Sequence, residues 1–205
     1  RARWTRFTAA WPDTELPELL GRTPRQAVKD ADGLRRVEAL VQEGEATSRR
    51  RDGAEAWNAI RGVLGLPGPA AVASLKPLDE VPPLRWHRLD MDRIDIEQLR
   101  GVLVTAVDAG FERAAEMAAE ALVARADATP ADRWEALGIL ADRVETTVRR
   151  LQIIGQLRSI AKELKAGTGT LDVAELRIRL QRGDQAEIVR LLDRIKRDHG
   201  RDPQV

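Results

Sequence analysis

The sequence contains few residues whose type and spacing could do chemistry. His87 and His199 are its two histidines, and neither has other metal-binding residues at ligand spacing. Asp90, Asp92 and Asp95 cluster in DMDRID, but no glycine turn or later glutamate follows at the spacing of a calcium loop. We therefore interpret Asp92 or Asp95 as the N-cap of the helix that starts at IEQL. Cysteine is absent, which excludes disulfides, thiolate zinc sites and cysteine nucleophiles.

The glycine and serine residues also lack a catalytic setting. The GTGT run at 167–170 lacks the Gly-Lys-Ser/Thr ending of a phosphate-binding loop, and no predicted strand precedes it. None of the serines has the flanking glycines of a nucleophile elbow. The sequence therefore predicts no catalytic residue, no cofactor and no metal site. It leaves open whether the whole protein is an enzyme, because the chain begins at Arg1 and we expect it to be part of a longer protein.

The charges of the chain are nearly balanced. It has 34 Lys and Arg residues and 33 Asp and Glu residues. This balance leaves no strong electrostatic field to attract nucleic acid or an anionic membrane. Basic residues concentrate at Arg1, Arg3, Arg6 and 49–51, where Trp4 could stack on a base. We interpret them as solvated helix ends with no nucleic-acid partner, because acidic residues lie among them: Asp13, Glu15, Glu18, Glu43 and Glu45. The sequence contains no run of 18 apolar residues, the length that could span a bilayer. We expect a cytoplasmic protein without a membrane partner.

The elements that must position these residues are predicted to be helices. Ala, Leu, Arg and Glu are strong helix formers and dominate the chain, while no stretch alternates as a strand does, so the predicted class is all-α. Residues 1–46 are predicted to form a small helical module. Thr23 and Gln26 form a capping box for a short helix, and Asp30 or Asp32 caps a longer one. The longer helix carries apolar residues at helical spacing, namely Leu34, Val37, Leu40 and Val41.

Residues 47–93 are predicted to be a proline-rich connector with one amphipathic helix. One face of this helix carries Trp57, Ile60, Val63 and Leu64, and the helix stops at Gly65. The segment 66–83 is too rich in proline for regular structure, so we expect it to run extended across a surface. Three apolar side chains would pin it there: Leu75, Val81 and Leu84.

Residues 94–205 are predicted to form tetratricopeptide-like helical hairpins. Stretches 109–130 and 182–203 share glycine, helix and proline positions at an offset close to twice the repeat length of about 34 residues. Between them, WEALG at 134–138 matches the start of such a repeat. The predicted pairs are 95–109 with 111–125, 131–143 with 145–165, and 171–181 with 184–198. Stacking would bury their apolar faces and leave a concave groove, whereas the alternative is a plain helical bundle.

The stretch WPDTELPELLGRTPRQAVKDADGLRRVEALV, residues 11–41, resembles a short pattern found in two groups of proteins. One is the C-terminal toxin-binding domain of Xre/MbcA/ParS-type antitoxins. The other is a set of large bacterial proteins with a SEC-C zinc motif and tetratricopeptide-like repeats. One glycine of the pattern is lost, because Leu20 precedes Gly21 here. The helical repeats that follow the motif favour the second group. The matching residues are Trp11, Pro17, Leu19, Gly21, Thr23, Pro24 and Ala27.

The resemblance implies an architecture more than an activity. Our leading hypothesis is a non-catalytic protein–protein interaction or scaffold region of a larger bacterial protein, whose oligomeric state is left open. One alternative is a toxin–antitoxin-like regulator that binds a toxin partner through 11–41. Another is an accessory region of an enzyme whose active site lies upstream. The candidate partner-binding residues are Trp4, Trp11, Leu19 and Val37 in the first module, and Gln98, Arg133 and Arg177 in the groove.

Overall fold

The computed structural model describes residues 2–48, 51–68, 78–144 and 146–199. In these ranges no β-strand forms, and one isolated bridge pairs Leu16 with Arg22, which confirms the predicted all-α class. The chain divides into two compact units, Arg1–Ala121 and Leu122–Val205. The helices are α1 (Ala2–Ala10), α2 (Pro24–Ala27), α3 (Ala31–Thr47), α4 (Arg51–Leu64), α5 (Ile96–Asp108), α6 (Glu112–Ala124), α7 (Pro130–Arg143), α8 (Thr147–Leu164), α9 (Gly169–Arg182) and α10 (Gln185–His199).

Helices α2 and α3 begin where the sequence predicts. The hydroxyl of Thr23 accepts a hydrogen bond from the Gln26 N–H at 3.2 Å, and the Gln26 side chain accepts one from the Thr23 N–H at 3.0 Å. This pair completes the predicted capping box. Asp30, rather than Asp32, caps α3, because its carboxylate accepts the Gly33 N–H at 2.8 Å. These bonds satisfy N–H groups that have no partner inside the helix.

The core of the first unit lies between α3 and α4. Trp57 of α4 is 9% exposed, and Phe7 and Trp11 pack edge-to-face against it with ring centroids 5.2 and 5.3 Å away. Gly44 of α3 allows this close packing, because a methyl group there would lie 2.1 Å from Cζ2 of Trp57. The fully buried apolar side chains around Trp57 are Leu19, Ala27, Val37, Val41 and Ile60.

The buried face of α4 differs from the predicted face at one position. Trp57 and Ile60 are buried as expected, but Val63 is 47% exposed, so its predicted inward position is wrong. Arg61 is buried instead, at 2% exposed, because carboxylates in the core pair with its guanidinium. Gly65 follows the helix with a φ of +67°, a conformation that suits glycine, and so ends α4 as predicted.

Short 3-10 turns form in the described part of the connector from Leu78 onward. The first turn lies within the segment 66–83, for which the sequence predicts an extended path. Val81 is 3% exposed and Leu84 is half-buried, as expected, whereas Leu75 lies outside the described residues. Trp86 fixes the region, because its indole N–H donates to the Val81 carbonyl oxygen at 2.9 Å. The turns are Leu78–Glu80, Pro83–Arg88 and Met91–Arg93.

The second unit contains α7 to α10, in which each helix packs against the next one along the chain. The ends of α5 to α10 lie within two residues of the predicted ends. Thr129 and Asp132 form a capping box at the start of α7, with hydrogen bonds of 3.2 and 2.7 Å. Among the predicted pairs, α7 with α8 and α9 with α10 pack closely, whereas α5 and α6 approach each other less.

The two compact units differ from the three predicted zones, 1–46, 47–93 and 94–205. The first unit joins the N-terminal module to the connector, to α5 and to most of α6. The zones merge because α3 packs against both α4 and the Pro83–Arg88 turn, so the module and the connector share one core. A division based on proline-rich composition alone does not reveal this shared core.

Candidate functional site

A network of buried ion pairs joins α3, α4 and the Pro83–Arg88 turn. Glu45 Oε1 accepts a hydrogen bond from Arg61 Nε at 2.5 Å, and Glu45 Oε2 accepts one from Arg88 Nη2 at 2.5 Å. These three side chains are at most 5% exposed. Arg61 Nη1 also donates to Glu38 Oε2 at 2.7 Å. We call Glu38, Glu45, Arg61 and Arg88 the Glu45 cluster.

Glu45 is ionised at neutral pH. Burial raises its pKa, but the nearby His87 and the hydrogen bonds from Arg61 and Arg88 outweigh burial and lower the pKa from 4.5 to about 2. Burial also opposes the charge on Arg61, yet its hydrogen bonds to Glu38 and Glu45 raise the pKa of the guanidinium. A carboxylate with so low a pKa does not serve as a general acid or base near neutral pH. The Glu45 cluster is therefore suited to holding helices together.

The low pKa of Glu45 predicts that acid destabilises the first unit. Because the folded pKa of about 2 lies below the unfolded value of 4.5, this stabilisation is present above the unfolded pKa and is lost as pH falls toward 2. Between pH 7 and pH 3 we expect the wild type to lose about 2 kcal/mol more free energy of unfolding than Glu45→Gln. Urea unfolding followed by circular dichroism measures this difference. Equal losses in the two proteins would contradict the assignment.

A second group of ion pairs joins α8, α9 and α10. Asp172 is 1% exposed, and its Oδ1 accepts hydrogen bonds from Arg158 Nη2 at 2.6 Å and Arg194 Nη2 at 2.9 Å. Glu175, one turn further along α9, accepts from Arg158 Nη1 at 2.5 Å and pairs with Arg179 at 3.2 Å. Burial opposes the charge on Glu175, but these arginines lower its pKa. This group ties the three helices together in the same way as the Glu45 cluster.

An open cleft lies beside Trp86 in the first unit, and we call it the Trp86 cleft. Asp95 positions the α5 wall of the cleft, because its carboxylate accepts the Gln98 N–H at 2.8 Å and caps the helix, as predicted. Asp90 instead accepts the Asp92 N–H at 3.3 Å, within the Met91–Arg93 turn. The cleft has a volume of about 400 Å³ and is lined by Leu78, Asp79, Trp86, Gln98, Gly101 and Thr105.

In the described parts of the chain, no group of three or more His, Cys, Asp or Glu side chains could hold a metal ion. The helices of these parts are all too short or too polar to cross a bilayer. His87 lies beside the Glu45 cluster, with Nε2 3.6 Å from Glu45 Oε2 and 3.3 Å from Arg88 Nε. His199 is the last residue of α10, so the two histidines belong to different units.

The candidate partner-binding residues of the first module all contribute to its packing. Leu19 and Val37 are fully buried, so neither is available to a partner in this structure. A charged residue at either position would unfold the module before partner binding could be measured. Trp4 and Trp11 are half-buried: Trp4 packs edge-to-face on Phe7 at 5.6 Å, and Trp11 packs on the core tryptophan.

The candidate groove residues lie on three different helices. Gln98 of α5 lines the Trp86 cleft, and Arg177 of α9 is exposed. Arg133 of α7 places Nη2 3.4 Å from the carbonyl oxygens of Arg125 and Ala126, just beyond the end of α6. This contact satisfies carbonyl groups near a helix end. A shared role of the three residues in one groove stays a prediction.

Sequence reasoning missed Glu45, Arg61 and Asp172, and helical spacing carried a signal for the first two. Glu45 lies four residues after the buried Val41, and Arg61 lies four residues after the buried Trp57. Residues four apart share a face of a helix, so both charged residues are on apolar faces. An acidic residue on one such face and a basic residue on another indicate a buried pair.

Comparison with known proteins finds no match among family models, curated proteins or solved structures. The resemblance of residues 11–41 to antitoxins and to SEC-C repeat proteins therefore stays a prediction. What the chain does must be inferred from its own surfaces.

Proposed function

We propose that this chain is a protein–protein interaction or scaffold module of a larger bacterial protein, built from tetratricopeptide-like helical hairpins. The observation that carries the proposal is the exposed apolar face of α10. Val189 is 58% exposed and Leu192 is 47% exposed. The two residues are three apart and therefore share a face of the helix. Large apolar side chains exposed next to each other are typical of an interaction surface.

The position of α10 in the second unit supports this proposal. α10 packs against α9, and Leu191 of α10 is 4% exposed, so one side of α10 is already covered. Leu180 on α9 adds another exposed apolar side chain, at 57%. In stacks of helical pairs, an outer helix with apolar residues on its outer side needs a further element to cover it.

An amphipathic helix of a partner protein fits this surface. A partner helix lays apolar side chains onto such a face at intervals of three and four residues. Arg190 and Asp193 are exposed on α10 next to Val189 and Leu192, and they offer charges of both signs to the rim of an interface. Apolar contacts at the centre would supply the affinity, and the rim charges would select the partner.

A second candidate function is partner binding through residues 11–41, as in a toxin–antitoxin regulator, and Leu20 favours it. Leu20 is 73% exposed and has a φ of +59°, in the left-handed region that leucine rarely adopts. Gly21 follows with a φ of +77°, and a bridge between Leu16 and Arg22 closes the turn. Strained residues of this kind cluster at functional sites.

Affinity purification from the cells that make the protein, followed by mass spectrometry, tests the α10 surface. We expect the wild type to capture a stoichiometric protein partner, and Val189→Glu/Leu192→Glu to lower its yield at least about tenfold. Leu164→Glu is the matched control, because Leu164 is 40% exposed at the end of α8 and its replacement should retain the partner. Equal capture by all three proteins would overturn the α10 proposal.

The variant Leu20→Gly tests the second candidate in the same experiment. Glycine adopts a positive φ without strain, so the free energy of unfolding should stay unchanged or rise by up to about 1 kcal/mol. If this variant loses the partner while Val189→Glu/Leu192→Glu keeps it, binding resides in 11–41. The substitution therefore separates partner binding from folding, which replacements of the buried Leu19 cannot do.

A further inference from the structure

The Trp86 cleft presents an apolar floor. Trp86 is 7% exposed, and its indole N–H is occupied by the Val81 carbonyl oxygen, so the ring offers the cleft only its carbon surface. Gly101 on α5 leaves the space above the helix open, because a methyl group there would meet no atom within 4 Å. The floor is therefore an aromatic ring beside bare backbone, which suits a slender apolar chain.

The polar groups of the cleft are suited to a cation. Asp79 is the charged residue of the described lining, and Gln98 and Thr105 each add a side-chain oxygen that can accept a hydrogen bond. On α5, Glu97 and Arg100 form an ion pair whose charges cancel, and Asp108 adds one negative charge. The described lining of the cleft therefore carries one negative charge, that of Asp79.

We propose that the Trp86 cleft binds a lysine or arginine side chain of a polypeptide partner. The methylene stem of this basic side chain lies along Trp86 and Gly101, where it buries apolar surface, as long basic side chains do. Its charged end reaches Asp79, while Gln98 and Thr105 accept its N–H groups. The volume of about 400 Å³ exceeds that of one side chain, so neighbouring residues of the partner also enter. This site is separate from the α10 surface.

Titration of the ¹⁵N-labelled protein with n-butylguanidinium, followed by NMR, tests the proposal. We expect saturable shifts of the Trp86 indole and of the Gln98 and Gly101 amides. Sodium pentanoate and n-butanol have the same n-butyl stem without the cation, and they should bind at least about fivefold more weakly. If either compound moves the same resonances with equal affinity, the cleft is only an apolar crevice and the proposal is overturned.

Two variants complete the test. Gly101→Leu fills the cleft, and Asp79→Asn removes its charge, so each should weaken n-butylguanidinium binding at least about fivefold. Gly155→Leu on α8 is the control, because Gly155 also has no atom within 4 Å of an added methyl group and lies in the other unit. Unchanged binding to Gly101→Leu would overturn the proposal. Val189→Glu/Leu192→Glu should bind the probe normally, so the result does not depend on the α10 surface.

Discussion

Replacement of Glu45 by glutamine is expected to lower the free energy of unfolding of the first unit by about 3–5 kcal/mol. The variant leaves Arg61 and Arg88, which are 2% and 5% exposed, without the carboxylate between them. Glu38 remains as a partner of Arg61, but its side chain is 28% exposed and it pairs with Arg61 alone within the Glu45 cluster. An uncompensated buried charge is more costly than the loss of a surface pair. Urea unfolding measured by circular dichroism gives the difference.

Glu43→Gln is the matched control for this experiment. Glu43 lies on the same helix but is exposed, so its replacement should change the free energy of unfolding by less than about 0.5 kcal/mol. In the double variant Glu45→Gln/Arg88→Gln, the loss should be smaller than the sum of the two single losses, because both remove the same interaction. A loss of stability in Glu45→Gln no larger than in Glu43→Gln would show that the Glu45 cluster does not stabilise the fold.

Gly44→Ala is expected to lower the free energy of unfolding by about 2 kcal/mol. The added methyl group would lie 2.1 Å from Cζ2 and 2.2 Å from Cε2 of Trp57, so α3 and α4 must separate. Overpacking of this kind costs about 1–3 kcal/mol, and here the upper end applies because Phe7 and Trp11 block the ring from moving away. The helix propensity of alanine offsets about 1 kcal/mol of the cost. Thermal or urea unfolding measures the net change.

Gly62→Ala provides the opposite case on α4. A methyl group at Gly62 meets no atom within 4 Å, so only the gain in helix propensity of about 1 kcal/mol should remain. The same chemical change is therefore expected to stabilise the unit at one glycine and destabilise it at the other. If both variants were stabilised alike, the close packing of Trp57 against α3 would be refuted.

The helix ends were predictable from the sequence because they depend on local interactions. Thr23 with Gln26, and Asp30, each satisfy N–H groups within three residues of themselves, so neighbouring residue types suffice to locate them. The same holds for Asp95 at the start of α5. The extents of α5 to α10 were also predictable, because the apolar residues that must be buried on one face of each helix recur at helical spacing.

The Glu45 cluster and the Trp86 cleft could not be predicted in the same way. Glu45 pairs with Arg61 and Arg88, which lie 16 and 43 residues further along the chain, and helical periodicity does not tell which apolar faces meet. An isolated buried charge is costly, so burial of Arg61 is expected only once its carboxylate partners are known. The cleft likewise joins Asp79 of the connector to Gln98 of α5, two segments that the composition assigned to separate zones.

The long sequence separation between Glu45 and Arg88 also affects how the protein folds during synthesis. During synthesis Glu45 and Arg61 emerge first, and Arg88 follows after the intervening residues, which take about 1–5 s to add at ordinary rates of translation. Throughout that interval Glu45 Oε2 lacks the guanidinium that it holds at 2.5 Å in the finished protein. A nascent chain that stalls before Arg88 would therefore expose an incomplete first unit to chaperones and proteases, and the unit can close only when the chain has been made up to Ala121.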